Sequence, residues 1–262
     1  MKFQKHIPIF FTVDDNYIDY LSVALTSLIE HTSINNKYEI NIIYDKLSKH
    51  SKKLLKKFER KNVSIKFFSI TLRMQSLGVK LDVRDYYTLT TYYRLLLPEM
   101  FPLIKKALYI DSDVVLLDDV ANLYNIDIKN NLLGAVPDHS VQIFDEFIKY
   151  VEEVIEVPHE QYFNAGVLVM NLAQMRRERF ENQAFNLLQR LTFKVAQDQD
   201  VLNYLCKGKV SLIDKRWNIM PLGESKTKED ISLVHYNLIL KPWKQDNIMY
   251  ENYFWEYASK AN

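Results

Sequence analysis

Glycine is scarce in this chain, with five residues in 262. That alone argues against any function built on a glycine-rich phosphate loop. Cysteine is scarcer still. Cys206 stands alone, so the chain forms neither an intramolecular disulfide nor a cysteine-built zinc cage. Charge of one sign is also missing: 34 Lys and Arg against 33 Asp and Glu leave a formal net of +1. This balance gives no global attraction for a polyanion, and no nucleic-acid partner is expected. Long hydrophobic runs are absent as well. The apolar stretch from Ile7 to Val13 runs straight into Asp14 and Asp15, with no small-residue cleavage site. Nothing approaches the roughly 18 to 20 apolar residues of a membrane span. Together these absences lead to the expectation of a soluble, reduced, cytoplasmic protein.

What is present is material for a core. The chain is 48% hydrophobic and 13% aromatic, which excludes intrinsic disorder, collagen and low-complexity repeats. Ile7 to Val13 has the unbroken apolar character of a strand buried on both faces. Tyr17 to Glu30 follows with a helical period, then a strand at Tyr38 to Tyr44 and a Lys-rich amphipathic helix at Ser48 to Arg60. A third strand is expected at Val63 to Ile70, a helix at Thr90 to Pro98, and a strand interrupted by two acids at Ala107 to Leu117. That order predicts an α/β fold with an open, mostly parallel, Rossmann-like sheet and ligands at the carboxyl ends of its strands.

The second half is less regular. A buried strand is expected at Asn164 to Leu172, a long helix at Gln174 to Leu191 and a short one at Gln199 to Cys206, with late strands at Val210 to Ile213 and Leu233 to Tyr236. No repeat and no Pro/Gly/Ser linker divides the chain. One domain over 1–262 is expected, with a nucleotide-binding half at about 1–120 and a substrate-side half at about 121–262. The lysines between Lys46 and Lys66 read as the solvated face of a helix whose Leu54, Leu55 and Phe58 face the core, with peripheral membrane contact as the lesser reading.

The sharpest chemical feature is Tyr109-Ile110-Asp111-Ser112-Asp113-Val114-Val115. Two carboxylates stand where an apolar strand would continue, and i, i+2 spacing in extended backbone points both to one face. Burying two such charges together is costly, and a divalent cation resolves the conflict; oxygen ligands select Mg²⁺ or Mn²⁺. The bland alternative is a strand ending in a solvated turn. His235 on its own reads as a hydrogen-bonded core histidine, but Lys241 six residues later would complete a pyrophosphate clamp with a metal. At the first βα turn, Thr12-Val13-Asp14-Asp15-Asn16-Tyr17 suits hydrogen bonding to a base or ribose and stacking on Tyr17, while Asp15 or Asn16 is expected to cap the next helix. Gly134 to Asp138, Tyr162 to Gly166 and Ala196 to Asp200 place acids and amides of the kind sugar hydroxyls need; taken singly, each reads as a cap or turn.

The ordered motifs FTVDDNY, TTYYR, YIDSDVVLLDD, GAVPD, YFNAGVLVMNL, QDQDVLN and HYN…KPW resemble glycosyltransferase family 8, over residues 7 to about 257. The resemblance implies a retaining GT-A-fold enzyme that takes a UDP-hexose donor and Mn²⁺ (Mg²⁺ is possible), with bacterial galactosyl- and glucosyltransferases closest in pattern. It implies that Asp14 and Asn16 hold uracil and ribose, Tyr17 stacks on the base, and Thr12 contributes backbone. Ser112 falls in the same nucleotide-sugar site, and Arg94 would reach donor sugar and phosphate. Asp111, Asp113 and His235 would hold the metal and Lys241 the pyrophosphate. Asp138, Asn164, Asp198 and Gln199 would line the donor sugar and the acceptor, a glycan, glycolipid or glycoprotein. Gln199 falls beneath the anomeric carbon, and an amide there favours front-face substitution over double displacement, with Asp198 the alternative nucleophile.

Two departures from the family pattern are visible. Many members have glycine three residues after the metal-binding histidine; here it is Leu238, so Asn237 to Leu240 is expected to take another path. Some carry a basic, aromatic C-terminal tail, whereas this sequence ends at Asn262 after Tyr253-Phe254-Trp255. The rival readings are a catalytically silent UDP-sugar or glycan-binding module and a haloacid-dehalogenase-type phosphatase with Asp111 as nucleophile. The phosphatase reading needs a late Gly-Asp-x-x-x-Asp motif that the chain lacks. A sugar nucleotidyltransferase would need a glycine-rich loop after the first strand.

Overall fold

The computed structural model describes residues 5–77, 89–143, 145–189 and 197–261. Its strands are β1 (His6–Thr12), β2 (Lys37–Tyr44), β3 (Val63–Ser69), β4 (Ala107–Ile110), β5 (Val114–Leu116), β6 (Leu133–Pro137), β7 (Phe163–Met170), β8 (Val210–Leu212) and β9 (Leu233–His235). Its α-helices are α1 (Ile18–Glu30), α2 (Lys49–Lys56), α3 (Thr71–Leu77), α4 (Leu97–Met100), α5 (Val120–Asn125), α6 (Asp145–Glu153), α7 (Leu172–Arg177), α8 (Phe180–Leu188), α9 (Gln197–Leu205) and α10 (Glu251–Ala258).

Seven strands form one sheet in the order β3-β2-β1-β4-β7-β6-β8, mostly parallel, with β7 antiparallel to both neighbours. This is the α/β architecture read from the sequence. β1 lies between β2 and β4, so its residues from Ile7 onward are buried on both faces and show no polar alternation. Pro8 is tolerated in this central strand for a geometric reason. Val13 N–H donates to Ile43, so odd residues face β2 and Pro8 faces β4, whose pairing begins only at Ile9. One core fills each side of the sheet, and a third packs α10 beneath β5 and β9.

Several expected elements have different bounds. The strand expected from Ala107 to Leu117 is two strands: β4 stays in the main sheet, and β5 leaves it to pair antiparallel with β9. Thr90 to Pro98 is mainly a 3-10 segment, Leu89–Leu96, running into α4. Helix α2 stops at Lys56 rather than Arg60; Leu55 and Phe58 are buried and its lysines face solvent or lie half-buried. The helix expected from Gln174 to Leu191 is broken at Arg179, which takes the left-handed conformation at φ 53°. Arg176 donates to the carbonyls of Pro98, Phe101 and Ile104 and pins α7, and the turn lets Phe180, Ala184 and Phe185 reach the core. The end of that expected helix, 190–191, lies outside the described residues, as does Ala196. Among the described residues no helix is long and apolar enough to cross a membrane.

Candidate functional site

From β1 the chain runs outward to β2 and β3, then returns to place β4 on the other side of β1. Strand order therefore reverses between β1 and β4, and in open α/β sheets ligands bind outside the carboxyl ends of such a pair. Thr12, Val13 and Asp14 end the first strand there; Asp111, Ser112 and Asp113 follow the other. A cavity of about 230 Å³ opens at this point.

Asp111 N–H donates to the Gly166 carbonyl (2.8 Å), the last bond to β7 before the chain departs. The β5–β9 ladder then sets Val114 opposite His235, and Tyr236 N–H donates to the Asp113 carbonyl at 2.9 Å. The histidine is thus delivered to the two acids by strand register. His235 Nε2 lies 3.7 Å from Asp111 Oδ2 and 3.3 Å from Asp113 Oδ1. Each acid is held through its other oxygen. Tyr109 donates to Asp111 Oδ1 at 2.7 Å, with Arg94 Nη2 3.3 Å away, and Lys241 Nζ donates to Asp113 Oδ2 and to the Tyr236 carbonyl. Burial pushes the Asp113 carboxyl up, but the Lys241 ammonium and then His235 hold it well below the usual carboxylate range.

The inward atoms of Asp111, Asp113 and His235 all lie within 4.8 Å of one another. Two carboxylates and an imidazole with no thiolate suit a hard-to-borderline divalent cation such as Mn²⁺ or Mg²⁺. Gly166 shapes the back of this cradle. A Cβ there would lie 2.2 Å from His235 Cε1 and 2.7 Å from Asp111 Oδ2, so the need is for space. Among the described residues one other such cluster, Glu152, His159 and Glu160, is largely exposed.

On the far wall Asp138, Asn164, Asp198 and Gln199 are all buried. Asp138 accepts four bonds: from Ser140 N (2.9 Å), Ser140 Oγ (2.5 Å), Asn164 Nδ2 (3.0 Å) and Gln199 Nε2 (2.9 Å). Gln199 Oε1 accepts from Ala165 N–H at 2.9 Å. Asp198 is different. Its Oδ2 lies 2.8 Å from Arg94 Nε, but the Nε–H is aimed at the Thr91 carbonyl (3.0 Å), so this oxygen is paired in charge and accepts no hydrogen bond. Burial pushes its carboxyl up to about 6, against Arg94. Arg94 is itself buried, donates to the Ala165 carbonyl and packs on the Tyr109 ring. Asp200, next in line, accepts from the Tyr150 and Tyr162 hydroxyls in the core.

On the β1 side, Asp14 accepts from Asn16 N–H (2.9 Å) and caps the 3-10 turn Asp15–Tyr17; the cap is Asp14, not Asp15 or Asn16. Asp15 instead accepts from Ser48 N–H and Ser51 Oγ, tying in α2. Asp14 and Tyr17 line the cavity, whereas Asn16 is exposed and does not. Tyr17 meets Tyr20 edge-on, and Tyr20 stacks on Trp243 at 4.0 Å. Burial and the nearby Asp113 push the Tyr17 phenol up to about 12. Ser112 Oγ donates to the Thr12 carbonyl at 3.1 Å, and the Thr12 and Tyr109 hydroxyls are 2.9 Å apart. Leu238 holds φ 54°, so leucine itself enters the left-handed region here. Sequence reasoning missed three contributors: the Tyr109 hydroxyl, the empty space at Gly166, and Asn218, whose Oδ1 lies 2.9 Å from His235 Nδ1. Tyr109 and Gly166 lay in quoted motifs and Asn218 in none, and spacing gives no sign of what the Tyr109 hydroxyl or Asn218 does.

Residues 8–247 match the family model described as Glycosyl transferase family 8. A Haemophilus influenzae protein with a provisional glycosyltransferase name is 32% identical over 84% of this chain; the chain spans 66% of that protein's length. The lipopolysaccharide 1,2-glucosyltransferase of Escherichia coli K12 is 27% identical over 88% of this chain and 71% of its own. Among solved structures, the galactosyltransferase LgtC, in complex with donor and acceptor sugar analogs, is 28% identical. It covers 97% of this chain and 96% of its own, with a TM-score of 0.81.

Proposed function

The chain belongs to glycosyltransferase family 8 and has its GT-A fold, and from that membership we propose that it moves galactose or glucose from a UDP-sugar to a hydroxyl of a glycan, glycolipid or glycoprotein. The anomeric configuration is retained and Mn²⁺ is required. One observation carries this reading. Asp111, Asp113 and His235, distant in sequence, converge with Lys241 at the strand-order switch point, each acid with one oxygen aimed inward. The family membership also favours this over a phosphatase in which Asp111 is the nucleophile.

In this reading Asp14 and Tyr17 receive the nucleoside, and Asp138, Asn164, Asp198 and Gln199 form the wall facing the donor sugar and acceptor. Residues 1–120 are then the nucleotide side of a single domain and 121–262 the substrate side of a cytoplasmic enzyme. When bound, a divalent cation at the Asp111, Asp113 and His235 atoms supplies charge that offsets the diphosphate leaving group. Lys241 adds a fixed ammonium on the same wall, preorganised by Tyr236 and Asp113. Gln199 is held at both ends of its amide by Ala165 and Asp138, a fixed dipole rather than a nucleophile, which supports front-face substitution. Asp198, with a carboxyl near 6, is charged at neutral pH and suited to orienting sugar hydroxyls. A glycosyl adduct trapped on Asp198 and seen by mass spectrometry would replace the front-face route with double displacement.

The test is UDP release from a series of UDP-sugars with Mn²⁺, with EDTA, and in the Asp111→Ala/Asp113→Ala double variant. Slow hydrolysis of one donor, lost in the latter two conditions, is the expected result. Failure to bind UDP at all would remove the reading.

A further inference from the structure

The orientation of a histidine ring or an amide is ordinarily ambiguous, because nitrogen and oxygen look alike. Here backbone N–H groups, which can only donate, remove the ambiguity. Gly166 N–H donates to Asn164 at 2.9 Å, so the atom it meets is Asn164 Oδ1. The same oxygen lies 2.9 Å from Asn218, which must therefore present Nδ2. Asn218 then has Oδ1 at its other end, facing His235 Nδ1 at 2.9 Å. An acceptor opposite Nδ1 demands Nδ1–H, which makes Nε2 the ring atom turned toward the inward oxygens of Asp111 and Asp113 and the one that would ligate a cation.

Asn218 and His235 are both buried, and the backbone fixes their distance. His235 N–H donates to the Ile219 carbonyl and Ile219 N–H to the Leu233 carbonyl. In the other direction Asn164 Nδ2 donates to Asp138, which also accepts from Gln199. We propose that Asn218 is the positioning residue of the His235 ligand, holding the imidazole as the Nδ1–H tautomer and tying that ring through Asn164 to Asp138 and Gln199. The chain of obligate donors makes the cation-binding face and the sugar-facing wall one hydrogen-bonded unit. This inference rests on the metal reading of Asp111, Asp113 and His235.

The test uses the full chain without donor sugar, in wild type, Asn218→Ala and Asn218→Asp, with Asp111→Asn as the control for loss of the site. Free Mn²⁺ is measured by electron paramagnetic resonance, and the tautomer by long-range ¹H–¹⁵N spectra of the metal-free protein. The wild type is expected to show His235 protonated on Nδ1. Asn218→Ala is expected to lose about 10- to 100-fold in Mn²⁺ affinity, the usual effect of removing a partner of a metal ligand. Asn218→Asp keeps an acceptor opposite Nδ1 and is expected to keep most of the affinity, while its second oxygen, now facing Asn164 Oδ1, shifts the Asn164 and Gln199 amide signals. A purely structural asparagine would lower thermal stability in both variants and leave Mn²⁺ affinity alone. A His235 Nδ1 without its proton in the wild type overturns the proposal even if Asn218→Ala does not fold. So does unchanged affinity in a folded Asn218→Ala. Absence of Mn²⁺ binding in the wild type overturns the metal reading and the positioning role with it, while the tautomer spectrum separately reports the Asn218–His235 bond.

Discussion

Gly166→Ala adds one methyl group behind the cation cradle, and its consequence can be worked from distances. The new Cβ would stand 2.2 Å from His235 Cε1 and 2.9 Å from His235 Nδ1. Carbon atoms pack at about 3.5 Å or more, so the ring must retreat by about 1.3 Å. It has no easy retreat, because Asn218 holds Nδ1 and the ladder to β5 and Ile219 holds the backbone. Metal–ligand distances tolerate about 0.2 Å, so a ring displaced that far ceases to be a ligand. The expected loss is about 100-fold or more in Mn²⁺ affinity, about 3 kcal/mol, beside an overpacking cost of about 1 to 3 kcal/mol in stability. Gly134→Ala is the matched control. Its Cβ meets Ile128 Cγ2 at 2.7 Å, away from the site, so it should cost comparable stability and leave Mn²⁺ affinity unchanged. Titration calorimetry with Mn²⁺ and thermal melts on both variants decide the matter. Wild-type affinity in Gly166→Ala would refute the reasoning.

Asp198→Asn should stabilise the metal-free fold at pH 8 while reducing transfer by two orders of magnitude or so. The Asp198 carboxyl is raised from 3.8 to about 6, so between those values the folded state holds more protons and stability falls as pH rises. The gain is about 1 to 3 kcal/mol at pH 8 and disappears below pH 4 in melts; no gain at pH 8 would refute it. Lys241→Met leaves the buried Asp113 charge without its ammonium, at a cost of about 3 to 5 kcal/mol, and added Mn²⁺ should raise its melting temperature more than that of the wild type. The depressed Asp113 carboxyl contributes stability above its unfolded value that is lost on acidification; this acid-side loss should be smaller in Lys241→Met. Leu238→Gly relieves a left-handed leucine and should gain up to about 1 kcal/mol in denaturant unfolding, with donor hydrolysis retained.

The central sheet was legible because its inner strands β1, β4 and β7 are buried on both faces, and unbroken apolar runs such as Ile7 to Val13 have few other places to go. The acids Asp111 and Asp113 were legible for the opposite reason: charge interrupts an apolar run, and the fold gathers His235, Lys241 and Arg94 around it. The break at Arg179 was hidden. Helical periodicity runs through it, no glycine or proline marks it, and the forces that set it come from the carbonyls of Pro98, Phe101 and Ile104. Asn218 was hidden in the same way, since an asparagine after Lys-Arg-Trp looks like any turn residue until β9 is paired. The cap at Asp14 was misplaced by one or two residues because three cap-forming side chains, Asp14, Asp15 and Asn16, stand in a row. At Leu238 the backbone takes a left-handed dihedral at φ 54° although the residue carries a side chain, which no sequence pattern announces.

The short β5–β9 ladder also bears on when the protein becomes competent during synthesis. Val114 pairs with His235, so the ladder closes a loop of about 120 residues, an ordering cost that local elements do not face. The parallel strands β1, β2 and β3 use only the first part of the chain and are available to pair long before His235 leaves the ribosome. A nascent chain therefore carries both acids in a largely built sheet without the third ligand or Lys241. On the proposed function, premature release anywhere before residue 235 yields a product that lacks the His235 corner of the cation cradle. The three-residue ladder thus makes assembly of the Asp111, Asp113 and His235 cluster one of the last steps the growing chain can complete.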